Sequence, residues 1–135
     1  MGLDLGSKTI GIAFSDIRLT IATARKTLQR TKFTKDADEL LALAKSENVF
    51  AFIIGMPFNM DGSEGPRAQS TRAFARNLSK LTELPIFFQD ERLSTHAAQE
   101  VMLEADLSRK KREEKIDAVA AAVILQGALD RLRQL

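Results

Sequence analysis

Cysteine is absent from the 135 residues, which excludes disulfides and thiolate metal sites. Histidine occurs once, at position 96. That leaves no His-rich zinc site and no histidine-based triad, and His96 reads as a polar residue of a helix's first turn, not a catalytic base. Tryptophan and tyrosine are missing, so a stacking platform for single strands would have to use the eight phenylalanines. This favours phosphate recognition over base stacking. No apolar run approaches the roughly 20 residues of a membrane span, and the N-terminus lacks the basic region plus apolar segment of a secretory signal. With sulfur absent and imidazole scarce, a bound metal would be held by oxygen, which points to Mg²⁺ or Mn²⁺.

What remains is an ordinary globular composition, 44% hydrophobic and 28% charged, in a length that fits one domain over residues 1–135. The net charge is only +2 and the pI near 9.1, so the distribution of charge says more than its sum. Asp36, Asp38 and Glu39 mark an acidic patch, whereas Arg109, Lys110, Lys111 and Arg112 form a compact basic run.

The chain opens on Met1-Gly-Leu-Asp-Leu-Gly-Ser-Lys-Thr-Ile-Gly-Ile-Ala-Phe-Ser-Asp16. Ile10, Ile12 and Phe14 alternate with Gly11, Ala13 and Ser15 after a Gly-containing turn, the pattern of a β-hairpin. Asp4 therefore falls in a strand, where aspartate is depleted and an ionised carboxylate is costly unless paired. It either bonds the turn amides of Gly6 to Lys8 or is held at the sheet edge for a divalent cation or a phosphate-bearing ligand. Few residues precede it, so the first strand is short or the natural start lies upstream.

Residues 19–28 read as a third strand. A helix follows over 34–46, capped by Thr34, with Asp36, Asp38 and Glu39 favouring its dipole. Residues 49–54 form a continuous apolar run, a buried strand reached by a parallel crossover. The loop from Gly55 to Pro66 is longer than its bends require, and such loops after buried strands often carry function. Next come a helix over 67–81, with Thr71, Phe74, Ala75 and Leu78 inward and Arg67, Arg72 and Arg76 toward solvent, and a strand over 85–88. A helix capped by Ser94 or Thr95 then carries a stripe of Ala98, Val101, Met102 and Ala105. Residues 106–114 read as a charged linker. The last helix, 115–135, has Ile116, Val119, Ala120, Val123 and Ile124 on its apolar face. Three antiparallel strands followed by βα units make an α/β fold: a mixed five-stranded sheet with helices on both faces.

Two more acidic positions stand out. Asp117 lies beside Ala118, Ala120, Ala121 and Ala122, which thin the last helix and let it pack closely on the strand bearing Asp4. It also fits an ordinary first-turn aspartate. Asp90 and Glu91 lie at the carboxyl end of a parallel strand, where open α/β sheets place their ligands, or simply start a solvated loop with Arg92 as partner. Three acids from distant elements could bind one or two Mg²⁺ ions about 3.5–4 Å apart for phosphodiester cleavage. Their mutual repulsion is tolerable only with the metal present.

The segments 2–16, 55–66, Asp90-Glu-Arg-Leu-Ser-Thr95 and Leu107-Ser-Arg-Lys-Lys-Arg112 with Ile116-Asp117, in this order, resemble the YqgF/RuvX family across essentially the whole chain. These are bacterial Holliday-junction-resolvase-like proteins, to which processing of pre-16S rRNA is also ascribed. The resemblance implies an RNase H-like fold, Mg²⁺ dependence (or Mn²⁺) and a cytoplasmic nuclease. By motif, Asp4, Glu91 and Asp117 take the metal-binding acidic positions, with Glu91 preferred to Asp90 as direct ligand. Lys8, Asn59, Asp61, Ser63 and Arg92 become candidate substrate contacts, with Asp61 also a possible outer-shell acid. The run Arg109, Lys110, Lys111 and Arg112 offers sequence-independent phosphate contacts. The expected substrate is structured nucleic acid, pre-rRNA before branched DNA, handled by a monomer or weak homodimer. Competing readings are a resolvase of four-way junctions, a non-catalytic nucleic-acid or transcription-complex binding module, and a nucleotide-binding domain, for which the chain looks too short.

Overall fold

The computed structural model describes residues 1–93 and 109–135, with only the helical backbone over 109–116. The opening hairpin is β1 (Gly2–Leu5) paired antiparallel with β2 (Thr9–Ser15), Asp4 opposite Gly11. Its turn closes through the Gly6 amide, which donates to the Thr9 carbonyl at 2.9 Å. Arg30 clasps it from outside: its guanidinium donates to Gly6 O at 2.6 Å and its amide to Lys8 O at 2.8 Å. Strand β3 (Ala22–Gln29) completes the antiparallel part. It begins three residues later than expected, because residues 16–21 form a turn around one carboxylate. Asp16 accepts from the amides of Thr20 and Ile21 and from the Thr20 hydroxyl, and Leu19 takes a positive φ of 57°. That geometry cannot continue a strand.

Strands β4 (Phe52–Met56) and β5 (Ile86–Asp90) run parallel to β1, giving the order β3-β2-β1-β4-β5. Both extend two residues past the windows read from the apolar pattern. Gly55 and Asp90 look like turn residues, yet they remain on the ladder, Gly55 opposite Gln89 and Met56 opposite Asp90. This lengthening carries the ends of β4 and β5 level with Asp4.

Helices α1 (Phe33–Ser46) and α2 (Pro66–Ser79) cover one face of the sheet. Thr34 does not cap α1. Lys32 is the N-cap and supplies no side-chain bond. Asp36 is not part of a solvated acidic patch either. It is 3% exposed and its carboxylate accepts from the amide and hydroxyl of Thr31, which ties down the chain entering the helix. Leu3, Ile10, Ile12, Leu40, Phe52, Ile54 and Leu78 fill this side and are fully buried, each worth about 1.5–3 kcal/mol relative to exposure.

Helix α3 (Arg109–Arg133) covers the other face. The expected linker over 106–114 is helical from 109, since Arg, Lys and Glu are good helix formers and the run contains neither Gly nor Pro. Val119, Val123 and Ile124 of the expected stripe are buried, and the buried side widens to include Ala118 and Leu125. Ala121, Ala122, Leu125 and Leu129 pack on Ala13 and Ala22, while Ala120 is only half-buried. Small residues on both partners bring helix and sheet close, as the alanine run suggested. Gln126 pins α3 to β3 by accepting from the Ala22 amide and donating to Thr20 O, both at 2.9 Å. The helix expected after Ser94 or Thr95, with its stripe Ala98, Val101, Met102 and Ala105, lies outside the described residues, as does His96.

Candidate active site

Alternation along β1 sends Leu3 and Leu5 into the α1–α2 core and Gly2 and Asp4 toward α3. Asp4 is therefore a carboxylate on a central strand, on the side where the layers are thinnest. Two glycines decide what reaches it. A Cβ on Gly11, its partner in β2, would lie 1.8 Å from the Asp117 carbonyl oxygen, so only glycine lets α3 rest on the sheet there. This contact brings Asp117 within Coulombic range of Asp4. On the other side, a Cβ on Gly55 in β4 would lie 3.0 Å from Glu91 Oε1 and 2.4 Å from Ile124 Cδ1. Glu91, first residue of a short 3-10 turn (Glu91–Leu93) after β5, folds back over that bare backbone to Asp4.

Asp4 and Glu91 are hydrogen-bonded to each other. Burial raises the Asp4 carboxyl above its ordinary value; the bond from Glu91 and the Arg67 charge oppose this, and the Asp117 charge adds to it. Glu91 is pushed up to about 7, first by burial, then by the charge of Asp4 and by the proton it donates to that carboxylate. The two carboxyls thus share one proton near neutral pH. Asp117 accepts from the Thr9 hydroxyl at 2.5 Å.

Asp90 plays a different part from Glu91. Arg92 grips it in a fork, with Nε 3.1 Å from both carboxylate oxygens and Nη2 2.7 Å from Oδ2, so Asp90 lies below its usual range, and its charge adds a little to the rise of Glu91. Of the two acids that the sequence offers Arg92, it pairs with Asp90. The same guanidinium lies over the Phe58 ring at 5.4 Å and approaches the Met60 carbonyl at 3.5 Å, stapling the 55–66 loop to the end of β5. Within the loop, Asp61 accepts from the Ser63 amide and hydroxyl, and Asn59 Nδ2 donates to Ser63 Oγ. Asn59, Asp61 and Ser63 are exposed and hold one another in a local turn. Lys8 is exposed on the β1–β2 turn at this end of the sheet. Arg109, Lys110, Lys111 and Arg112 form the first turns of α3, and their side chains lie outside the described residues.

Sequence reasoning missed Thr9, which holds Asp117, and Arg67, which stands within Coulombic range of both Asp4 and Glu91 from the second position of α2. Arg67 is solvent-exposed, as its place off the apolar stripe suggested, but it faces the acids. The signal available for it was its position directly after the long loop. A cavity of about 1000 Å³ lies at the opposite end of the sheet, lined by Met1, Phe50, Phe87, Leu129 and Leu132. It contains neither Asp4 nor Glu91, and its lining is largely apolar, so size does not make it the reactive site.

Among the described residues, no three acids, histidines or cysteines stand close enough to form a ready-made metal cage. The Asp4–Glu91 pair is the part that fits a cation. Two hard oxygen donors sharing a proton are a place where a divalent ion can replace that proton. Asp117, held by Thr9 through one oxygen, does not stand close enough to make the pair a triad.

A mixed sheet in this order, with helices on both faces and acids brought to β1 by β5 and by α3, is an RNase H-like fold. The chain resembles Thermus thermophilus RuvC in complex with a Holliday junction (TM-score 0.62, 14% identity, 98% of this chain and 94% of that one). It also resembles the fowlpox virus Holliday junction resolvase (TM-score 0.54, 12% identity, 99% and 97%). At those identities the likeness concerns the fold. The model of the RuvX family, described as Holliday junction resolvase, matches residues 1–131. Relatives carrying the name "Putative pre-16S rRNA nuclease" are similar over nearly the whole chain: 63% identical in Rhodobacter capsulatus, covering 99% of this chain and 84% of the relative, and 62% in Ruegeria pomeroyi, covering 99% and 87%. The chain belongs to the RuvX family.

Proposed function

We propose that this protein is a Mg²⁺-dependent endonuclease that hydrolyses phosphodiester bonds of structured RNA, processing the 5′ end of pre-16S rRNA. The observation that carries the reading is the Asp4–Glu91 pair, two carboxyls placed side by side by a glycine in the strand between them. A binding module has no use for the repulsion and desolvation this arrangement stores. The names of the relatives supply the substrate class.

Asp4 and Glu91 would hold the metal, with Asp117 as the third ligand, and the ion would activate water and stabilise the leaving oxygen. The chain's own residues do the rest. Thr9 orients Asp117 through one of its oxygens and leaves the other for the ion. Arg67 offsets part of the negative charge of the pair and offers a cation to an incoming phosphate. Arg92 keeps Asp90 out of the site and fixes the loop that bears Asn59, Asp61 and Ser63 beside it. Lys8 and the basic run 109–112 supply backbone contacts. Residues 1–135 act as one domain, monomeric or weakly dimeric, in the cytoplasm. Among the described residues, no helix is long and apolar enough to cross a membrane.

The second reading is resolution of four-way DNA junctions, favoured by the description of the family. A labelled precursor-rRNA 5′ leader and a labelled four-way junction, each incubated with Mg²⁺, with EDTA and with Asp4→Asn, separate the two. Metal-dependent RNA cutting that is lost in the variant supports the first, and junction cutting alone supports the second. A folded protein that binds both and cuts neither is a binding module.

A further inference from the structure

Helix α2 carries Arg67, Arg72 and Arg76 and no acidic residue, and Lys80 follows directly. All four are exposed. The helix runs antiparallel to β5, so its start faces the end of β5 where Glu91 lies and its last turn faces the start of that strand. A shallow groove of about 280 Å³ separates them, lined by Arg72, Ala75, Arg76, Ser79, Ile86 and Phe88. Ala75 keeps the floor low. Phe88 is 37% exposed on an edge strand, and the Arg72 guanidinium lies over its ring at 5.3 Å. Arg72 also pairs with Glu64, which holds the guanidinium in place. Arg76 makes no ion pair among the described residues.

These are the parts of a single-strand site: two cations one helical turn apart, with a partly exposed aromatic beside them. We propose that the groove between α2 and β5 binds a single-stranded nucleic-acid flank of the substrate. Arg72 and Arg76, four residues apart on one side of α2, line the groove about 6 Å apart along the helix, with Phe88 opposite them. Charge complementarity selects the occupant. The lining bears arginine and no carboxylate, Glu64 at the rim being already engaged by Arg72. An apolar peptide would desolvate Arg76 without a partner, whereas a phosphate chain pairs it and a base can stack against the Arg72–Phe88 pair. That the occupant is a flank of the cleaved strand rests on the nuclease reading, but binding to the groove does not.

The test is fluorescence anisotropy of a fluorescein-labelled 12-mer oligouridylate titrated with the full chain in EDTA across a series of salt concentrations. Wild type is compared with Arg72→Ala, Arg76→Ala and Phe88→Leu, and with Lys35→Ala on α1 as a control. Each arginine variant is expected to lower the magnitude of the log–log salt slope by about 0.7 and to weaken binding about 5–10-fold. Phe88→Leu is expected to weaken binding about 5-fold or more with the slope unchanged, since stacking carries no counterion release. Lys35→Ala leaves both unchanged. Far-UV circular dichroism checks that each variant is folded, and Arg76→Lys should restore the slope. Unchanged slope and affinity in both arginine variants overturn the proposal. Cleavage by wild type with Mg²⁺, read separately, reports on the nuclease reading, so failure of one does not imply failure of the other.

Discussion

Replacing Glu91 with glutamine should make the metal-free protein more stable at pH 8 than the wild type. Glu91 has a carboxyl raised from 4.5 to about 7 in the folded chain, by burial first and by Asp4 second. Below pH 4.5 it is protonated whether folded or not, and contributes no pH dependence. Between 4.5 and 7 the unfolded chain loses this proton while the folded chain keeps it. The folded state then binds more protons than the unfolded one, so stability falls as pH rises and levels off above about 7. The gap between 4.5 and about 7, at about 1.4 kcal/mol per pH unit, sets an upper limit of roughly 3 kcal/mol. The side chain is only partly buried and solvent screens the charge, so about 1–2 kcal/mol is the expected loss.

Glutamine has no charge to develop and can still donate a hydrogen bond to Asp4. With no tryptophan in the chain, the assay is urea unfolding followed by circular dichroism at 222 nm, in EDTA, from pH 4.5 to 8. The wild-type midpoint should fall by roughly half to one molar over that range, and the variant's should stay nearly level. Added Mg²⁺ should recover the wild type at pH 8, because a cation favours the ionised pair, and should do little for the variant. Parallel curves for the two proteins in EDTA would refute the idea that Asp4 and Glu91 share a proton in the folded state.

Gly11→Ala should prevent or severely weaken folding, at a cost of about 3 kcal/mol or more, because its Cβ would lie 1.8 Å from a backbone oxygen of α3; thermal unfolding by circular dichroism measures it. Gly55→Ala meets only side-chain ends, so it should fold with a smaller loss yet abolish metal-dependent cleavage by displacing Glu91 from Asp4. Thr9→Val removes the hydroxyl that Asp117 accepts from and should cost about 1–2 kcal/mol in urea unfolding. Asp16 is held down at about 2 by its bonds to Ile21 and Thr20, so its contribution is complete above the ordinary carboxyl value near 3.8 and is lost as pH falls toward 2; Asp16→Asn should flatten stability in that acid range alone.

The sheet and its helices were legible because they follow from period and composition. The alternation at 10–15, the apolar run near 50 and the alanines of the last helix each state a face, and faces are what the layers bury. The ends of elements were not legible, because they depend on partners. Leu19 looks like a strand residue until Asp16 gathers the amides behind it into a turn. Gly55 looks like the start of a loop until β5 pairs with it. Asp36 looks like a solvated acid until Thr31 folds back onto it.

The same distinction divides the site. Asp4 could be singled out because an acid in a strand costs energy, and that cost is visible in the sequence. Asp90 and Glu91 were divided only by the resemblance, since in the sequence both sit at the end of one strand and nothing in composition or period says which side each takes. Two neighbours settle it: Arg92 curls back to hold Asp90, and Gly55 leaves room for Glu91 to cross β4. The small residues of this layer are therefore as much part of the site as its acids. Without a bare backbone at Gly11, α3 could not bring Asp117 near Asp4, and without one at Gly55 the shared proton would have no second oxygen to hold it.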